Sequence, residues 1–355
     1  DDIEVIRKEN AEVKTETYQT RILTALKELE KNADKYLTPE ALLTYSPKFL
    51  AILKNMINQD YKGIHLLYSQ FKTLEGIGIF KLVLKANNFV EFKLKKGPDG
   101  YKLDMKPEDI GKPMFASYSG NETPEEREII KNVLNSNWNL VSSTIVNQLK
   151  TIATNNHYGQ IIKVLMITSS GAEGISLKNV RYVHIMEPYW HPVRIHQVIG
   201  RARRICSHSD LPKELQTVEV FLYLMTLTEK QRDDLSIDLK RNDISKKDKN
   251  KVLTSDEFLY EISMIKEDLN KELLTNVKQS AIDCSIHSRS TSKEKLQCFS
   301  IGNPDEKNFA YVPNIKKQDN DKLMELNKKT VGIQLQKIKG KNLGIDKKTK
   351  KVYDW

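Results

Sequence analysis

The stretch from Lys163 to Arg204, KVLMITSSGAEGISLKNVRYVHIMEPYWHPVRIHQVIGRARR, limits the fold of this chain more than any other part of it. Ile161 to Thr168 and Tyr182 to Met186 are short apolar runs, rich in β-branched residues and bounded by small or polar ones. Such runs are too short for helices and read as buried strands. Between them lies the small-residue turn Thr168-Ser169-Ser170-Gly171-Ala172-Glu173-Gly174, expected to lead into a helix start. After the second strand, Trp190-His191-Pro192 turns the chain into Gln197-Val-Ile-Gly200-Arg201-Ala-Arg-Arg204. That last string is expected to begin a helix, with Arg201 and Arg204 three residues apart on one face. Two guanidinium forks aimed at one point suit a phosphoryl group, because each fork presents parallel N–H donors to an oxyanion.

The rest of the chain extends the pattern. Gly63 to Ser69, Phe89 to Leu94, Met114 to Ser119 and Val218 to Leu224 also read as strands. Between them, Phe49, Leu50, Leu53 and Ile57 mark an amphipathic helix, Thr73 to Ala86 a second, and Thr123-Pro124-Glu125-Glu126 opens a third. Thr is a good N-cap, Pro suits the first helical position and acidic residues favour the positive helix end. Gly97-Pro98-Asp99-Gly100 is a turn. Strands alternating with helices imply an α/β fold, a parallel sheet flanked by helices on both faces. Beyond Leu227 the strands stop. Thr228 to Arg241 and a segment capped by Ser255-Asp256-Glu257 and running toward Val277 read as helices, a mainly α C-terminal extension. The expected organisation is a linker or peripheral helix over 1–40, the sheet domain over 41–227, a helical extension over 228–300 and a basic polar tail over 301–355.

The 355 residues carry 57 Lys and Arg against 47 Asp and Glu, a net charge of +10. A balance of this size favours a polyanionic partner, since neutralised phosphates release counterions. Cys206, Cys284 and Cys298 are too few and too oddly numbered for a disulfide framework, so thiols in a reducing compartment are expected. The spacings Cys206-x-His208 and Cys284-x-x-His287 are poor for a four-ligand zinc site, and no metal is expected. No apolar run reaches membrane-spanning length. The first residues, DDIEVIRKEN, lack a signal-peptide core and a Met, as in a fragment of a longer protein.

In open parallel sheets, function gathers at the carboxyl ends of the strands. Three such ends carry small hydroxylated residues: Ser69-Gln70, Ser119-Gly120 and Thr168-Ser169. Such residues let backbone N–H groups approach phosphate oxygens closely, and equally serve as ordinary turn caps. His184 lies mid-strand and is expected in the core. Trp190, ahead of a proline turn, is expected to anchor that turn by burial.

In this order, YSQF, SYSG, TSSGAEGIS, WHP and QVIGRARR resemble the second RecA-like lobe of superfamily 2 helicases and translocases. Gln197 to Arg204 matches that family's Q-x-x-G-R-x-x-R motif residue for residue. GISL and WHP are similar to the Swi/Snf-like branch, and TPEEREIIKNVLN and LTSDEFLYEISMIKEDLNKEL to helicases of large nucleocytoplasmic DNA viruses of the poxvirus early-transcription type. The resemblance covers Leu42 to Cys284. It implies that Arg201 and Arg204 are arginine fingers for the γ-phosphate of ATP, that Gln197 helps place the phosphate or a water, and that Gly200 keeps a tight turn beneath them. Glu173, Gly174 and Ser176 would lie near the nucleotide, Ser176 standing where many relatives carry a ribose-contacting Asp. Ser69, Gln70, Ser119, Thr168 and Ser169 would contact nucleic acid, DNA ahead of RNA.

No G-x-x-x-x-G-K-[ST] loop and no DEAD-like acidic strand end occur in the chain. The resemblance therefore implies an N-terminal, Walker-containing lobe that holds ATP and Mg²⁺, without which this chain is inactive. It also implies work on viral transcription or genome handling, in the host cytoplasm, a virus factory or the virion, with a transcription complex as a partner and no membrane. Two other readings are a non-catalytic docking subunit and a protein that lends its arginines to a different ATPase.

Overall fold

The computed structural model describes residues 20–74, 76–98, 100–120, 122–169, 174–234, 243–281 and 284, with strand segments at 299–300, 322–323, 333–338, 341–346 and 352–354. The chain divides into two compact units, Asp1–Glu267 and Asp268–Trp355.

The first unit is built on β1 (Ile64–Tyr68), β2 (Val90–Glu91), β5 (Met114–Tyr118), β6 (Ile162–Ile167), β7 (Val180–Ile185) and β8 (Glu219–Leu222), with a hairpin of β3 (Leu94–Gly97) and β4 (Gly100–Leu103) beside them. The six strands form one sheet in the order β2-β5-β6-β1-β7-β8. Every neighbouring pair is parallel. Central pairs such as Leu66↔Leu165 and Leu66↔Val183 put apolar side chains in register across the sheet.

Alternation along the strands sorts the core into two layers. Ile64, Leu66, Ala116, Leu165 and Val183 face one layer, together with Ile130, Val133, Ile145, Leu149, Val198 and Ala202. Leu67, Phe115, Val164 and Met166 face the other, with Leu53, Met56, Phe80, Val83 and Leu84. The helices supplying these residues are α3 (Pro47–Ile57) and α4 (Ile77–Ala86) on the second face, and α5 (Pro124–Leu134), α6 (Ser143–Lys150) and α7 (Pro192–Ala202) on the first. Two short helices, α1 (Ala33–Tyr36) and α2 (Pro39–Tyr45), precede α3. Each large side chain withdrawn from water contributes about 1.5–3 kcal/mol, so both faces must be covered for the sheet to stand. The expected cap of α5 forms: Thr123 Oγ1 accepts from Glu126 N at 3.2 Å while Glu126 Oε2 accepts from Thr123 N at 2.8 Å.

Three expectations change. The strand over Phe89–Leu94 shortens to Val90–Glu91, because Phe92 turns into the first core layer and the chain then enters the β3–β4 hairpin. Helix α8 (Glu229–Asp233) fills only the start of the segment read as Thr228–Arg241, and residues 235–242 lie outside the described ones. The long helix α9 (Ser255–Ser280) is capped by Thr254, whose Oγ1 accepts from Glu257 N at 3.1 Å, and not by Ser255.

In the second unit, the stretch read as a polar tail holds a three-stranded antiparallel sheet of Ile333–Ile338, Lys341–Asp346 and Val352–Asp354. Cys206 is an exposed free thiol, and Cys284, expected as a thiol, is disulfide-bonded. Among the described residues no helix is long and apolar enough to cross a membrane.

Candidate functional site

Helix α7 carries the arginine motif. It starts at Pro192, whose missing N–H costs nothing at a helix start, and His191 Nδ1 accepts from Val193 N at 3.2 Å as its cap. Val198 and Ala202 are buried, with Ile195 and Ile199 packed beside them, so one face is fixed to the sheet. The motif was expected at the start of a helix. It lies instead at the end, because Pro192 sets the first turn earlier than the Gln197 string suggests. Arg201 is in the last turn, and Arg204 follows the cap residue Arg203, whose N–H donates to Ile199 O at 2.9 Å. Cations at this end meet the negative pole of the helix, worth about 0.3–1 kcal/mol each.

The turn after α7 is tied to β7. His208 pairs through Nε2 with Val180 O and through Nδ1 with Ser207 Oγ, both at 2.8 Å. Asn179 N donates to Ser207 O at 2.8 Å, and Asn179 Nδ2 to Asp210 Oδ2 at 3.1 Å. Arg204 is exposed, and its Nη1 donates to Ser176 Oγ. Arg201 is half-buried, and its Nε is buried without a hydrogen-bond partner among the described residues. Neither arginine forms an ion pair with a carboxylate among those residues. Gln197 is exposed one turn before Arg201. Gly200 lies inside the helix, not in a turn, and a Cβ there would meet nothing within 4 Å.

Cys206 sits in this turn at φ 58, the left-handed region. A side chain costs about 1–2 kcal/mol there, partly offset in a glycine by greater freedom of the unfolded chain. Cys206→Gly is therefore expected to raise the unfolding free energy by about 0.5–1 kcal/mol, measured from the urea midpoint. A loss of stability would show that the thiol is held by contacts that outweigh the backbone strain.

The strand ends meet as expected, but several side chains are turned inward. Ser69 is fully buried; its Oγ lies 2.9 Å from Glu187 Oε1 and accepts from Phe71 N at 3.0 Å. Thr168 and Ser119 are buried, and Thr168 Oγ1 donates to Ser119 O at 3.3 Å. Ser119 N and Gly120 N both donate to Glu122 Oε2, at 2.8 and 3.0 Å. Of the five residues read as nucleic-acid contacts, Gln70 and Ser169 are the ones partly exposed. Gly174, at φ 74, and Ser176 are exposed in a segment that runs straight into β7. The helix start expected after the Thr168–Gly174 turn does not form there. Glu173 lies outside the described residues.

Sequence reasoning missed four contributors. Asn135 accepts from Lys178 N at 2.8 Å and donates to Ser176 O at 2.9 Å, fixing the loop that faces Arg204. Glu187, at the end of β7, binds the loop after β1; an acid between Met186 and Pro188 at a strand end was the signal available. Arg194 stacks 4.5 Å from the Tyr189 ring centroid. Lys266 lies 3.9 Å from the Trp190 ring centroid and donates to Trp190 O at 3.3 Å. Trp190 itself is 49% exposed, so the expectation that it anchors its turn by burial is corrected. His184 is buried, as expected for a core histidine, and bonds to His65 and Tyr223. Among the described residues no cluster of His, Cys, Asp and Glu is suited to a metal ion.

Known proteins similar to this chain share its central segment. Residues 115–206 match the helicase conserved C-terminal domain. A protein of Acanthamoeba polyphaga mimivirus that bears the name of an ATP-dependent RNA helicase is 30% identical over 255 residues, 72% of this chain and 26% of the relative. A second mimivirus protein with a similar name is 34% identical over 56% of this chain and 29% of its own length. A termination factor NPH-I homolog of African swine fever virus is 30% identical over 77% of this chain and 38% of its own. The chain thus spans about a quarter to two-fifths of the relatives it matches.

Proposed function

We propose that this chain, whose residues 115–206 are a helicase conserved C-terminal domain, is the second lobe of an ATP-dependent nucleic-acid helicase or translocase of a large DNA virus. The observation that carries the reading is the pair Arg201 and Arg204, at the end of α7 and in the turn after it, without a carboxylate partner among the described residues. Guanidinium groups without a carboxylate partner among the described residues suit an anion brought by another body.

The residues present fit a triphosphate held by a first lobe. ATP, when bound there with Mg²⁺, supplies the phosphoryl group and the leaving diphosphate. Arg201 and Arg204 would stabilise negative charge on the transferring group, and Gln197, one helical turn away, would orient a water or a phosphate oxygen. Open space beside Gly200 leaves room for that approach. Arg204 must leave Ser176 to reach the phosphate, so Ser176 is a resting partner for the guanidinium. Gly174 would lie beside the nucleotide, as would Glu173.

Nucleic acid, DNA in the first place, would lie along the strand ends after β1, β5 and β6, touched by Gln70 and Ser169. Ser69, Ser119 and Thr168 would shape these loops from within. Lobe closure around the nucleotide would carry the loops along the backbone, and reopening would reset them. Work in viral transcription, beside a transcription complex, extends the reading from the name of the African swine fever virus relative.

The test is ATP hydrolysis by the full-length protein and by this chain alone, each with and without single-stranded DNA. Turnover is expected only in the full-length protein, stimulated by DNA. Hydrolysis by this chain alone would refute the need for a first lobe; absence of hydrolysis in both would favour a docking role. Binding of this chain to single-stranded DNA is expected to weaken with salt, with a slope of log K on log salt of about −0.7 per phosphate contacted. A salt-independent affinity would exclude a backbone grip.

A further inference from the structure

We infer that Glu187 is the positioning residue of the loop Ser69–Phe71, its ionised carboxylate holding Gln70 in the pose in which that loop meets nucleic acid. The inference rests on the nucleic-acid reading above. Glu187 stands just beyond β7 and Ser69 just beyond β1, neighbouring parallel strands, so the contact joins two strand ends at the same edge of the sheet. A single oxygen, Oε1, takes both Ser69 Oγ at 2.9 Å and Gln70 N. The second oxygen, Oε2, is buried without a hydrogen-bond partner among the described residues.

That asymmetry makes the loop sensitive to the proton. An ionised Oε1 accepts two donors as a charge-assisted pair, and protonation at Oε2 reduces it to a neutral carbonyl acceptor. The residue is 7% exposed, and burial pushes its carboxyl up to about 7 against the hydrogen bonds from Gln70 and Ser69. The charged and titratable groups facing it are Lys48 of α3, Asp256 of α9, and Tyr68 of β1. Arg194 of α7 and Tyr189 stand by the same Tyr68. Lys48 and Asp256 pair with each other, so their charges offset and Glu187 is left to titrate within the ordinary pH range. Ser69 cannot substitute for this role by touching a ligand itself, because it is fully buried.

The test uses this chain labelled with ¹⁵N-glutamine, followed by NMR from pH 6 to 8.5, and fluorescence anisotropy with a single-stranded DNA oligonucleotide over the same range. In the unaltered protein the Gln70 amide is expected to titrate with a midpoint near 7. In Glu187→Gln, which stays neutral at every pH, it is expected not to titrate. The unaltered protein is expected to bind the oligonucleotide about three- to tenfold more tightly than Glu187→Gln at pH 8 and equally at pH 6. A Gln70 amide that does not titrate in the unaltered protein overturns the inference without need of the variant. So does a ratio of affinities that stays constant with pH. No oligonucleotide binding at any pH, with a titrating amide, instead brings down the nucleic-acid reading and the inference with it.

Discussion

Arg204→Ala in the full-length protein is expected to lower ATP turnover by on the order of 10³-fold or more, while nucleotide affinity changes far less. The separation follows from the finger role proposed above. In this unit Arg204 rests on Ser176, and a finger that engages only when charge develops contributes to the transition state and little to the ground state. Arg201→Lys is expected to be nearly as damaging, since an ammonium retains the charge but not the planar fork. Steady-state hydrolysis beside nucleotide binding separates the cases. Turnover within a fewfold of the unaltered protein would remove Arg204 from the chemistry and return the site to a docking role. Equal losses of turnover and affinity would make it a uniform binding residue.

The second large effect is in stability against pH. His65, His184, Tyr223 and Asn55 form a buried chain, with His65 Nδ1 to His184 Nε2 at 2.9 Å, His184 Nδ1 to Tyr223 Oη at 2.8 Å and Asn55 Nδ2 to Tyr223 Oη at 2.8 Å. Burial holds His184 down at about 3, and holds His65 well below its ordinary 6.5, His184 adding to the effect there. A histidine that resists protonation when folded leaves stability whole above pH 6.5 and takes it away as pH falls, because only the unfolded chain gains the proton. From pH 7 to 5, His184 alone costs about 2 kcal/mol, and His65 adds in the same direction.

Glu187 works the other way. Its carboxyl is raised to about 7, so the folded protein takes up a proton between pH 7 and 4.5 that the unfolded chain does not. That recovers about 2–3 kcal/mol from pH 7 to 5. Glu187 therefore offsets about the share of His184 and leaves that of His65, so Glu187→Gln should lose about 2 kcal/mol more than the unaltered protein over that interval. Glu91, whose carboxyl is held low by Lys81, Lys85 and Lys93 against burial, titrates below this window. Urea unfolding of both proteins at pH 7, 6 and 5 decides the matter. Parallel curves would show that Glu187 and the histidine pair do not oppose one another.

Much of the fold could be read along the chain because its central strands are continuous apolar runs. Ile162–Ile167 and Val180–Ile185 are buried almost throughout, as their short length, β-branched content and flanking turn residues suggested. The arginine pair was visible for a similar reason, since its spacing is local. Its position at the end of a helix was not, because the start depends on a histidine cap, an uncommon choice. Glu187 could not be assigned a role because Ser69, its partner, lies 118 residues earlier in the chain. The inward turn of Ser69, Ser119 and Thr168 was equally hidden. A serine at a strand end has the same spelling whether it faces solvent or closes its own loop. The sheet at 333–354 was obscured by lysines, which the strands Ile333–Ile338 and Lys341–Asp346 carry without an apolar run to betray them.

The bonds from His208 to Val180 and from Asn179 to Ser207 and Asp210 tie the Arg204 turn to the start of β7. In the role proposed above, the backbone of Arg204 would move with the whole sheet, like a sight bolted to a barrel, leaving only the side chain to swing off Ser176. If the proposed function holds, substitutions at Asp210 or His208, neither of them proposed to touch the nucleotide, are expected to surface in a screen for slow turnover, faulty in aim and intact in chemistry.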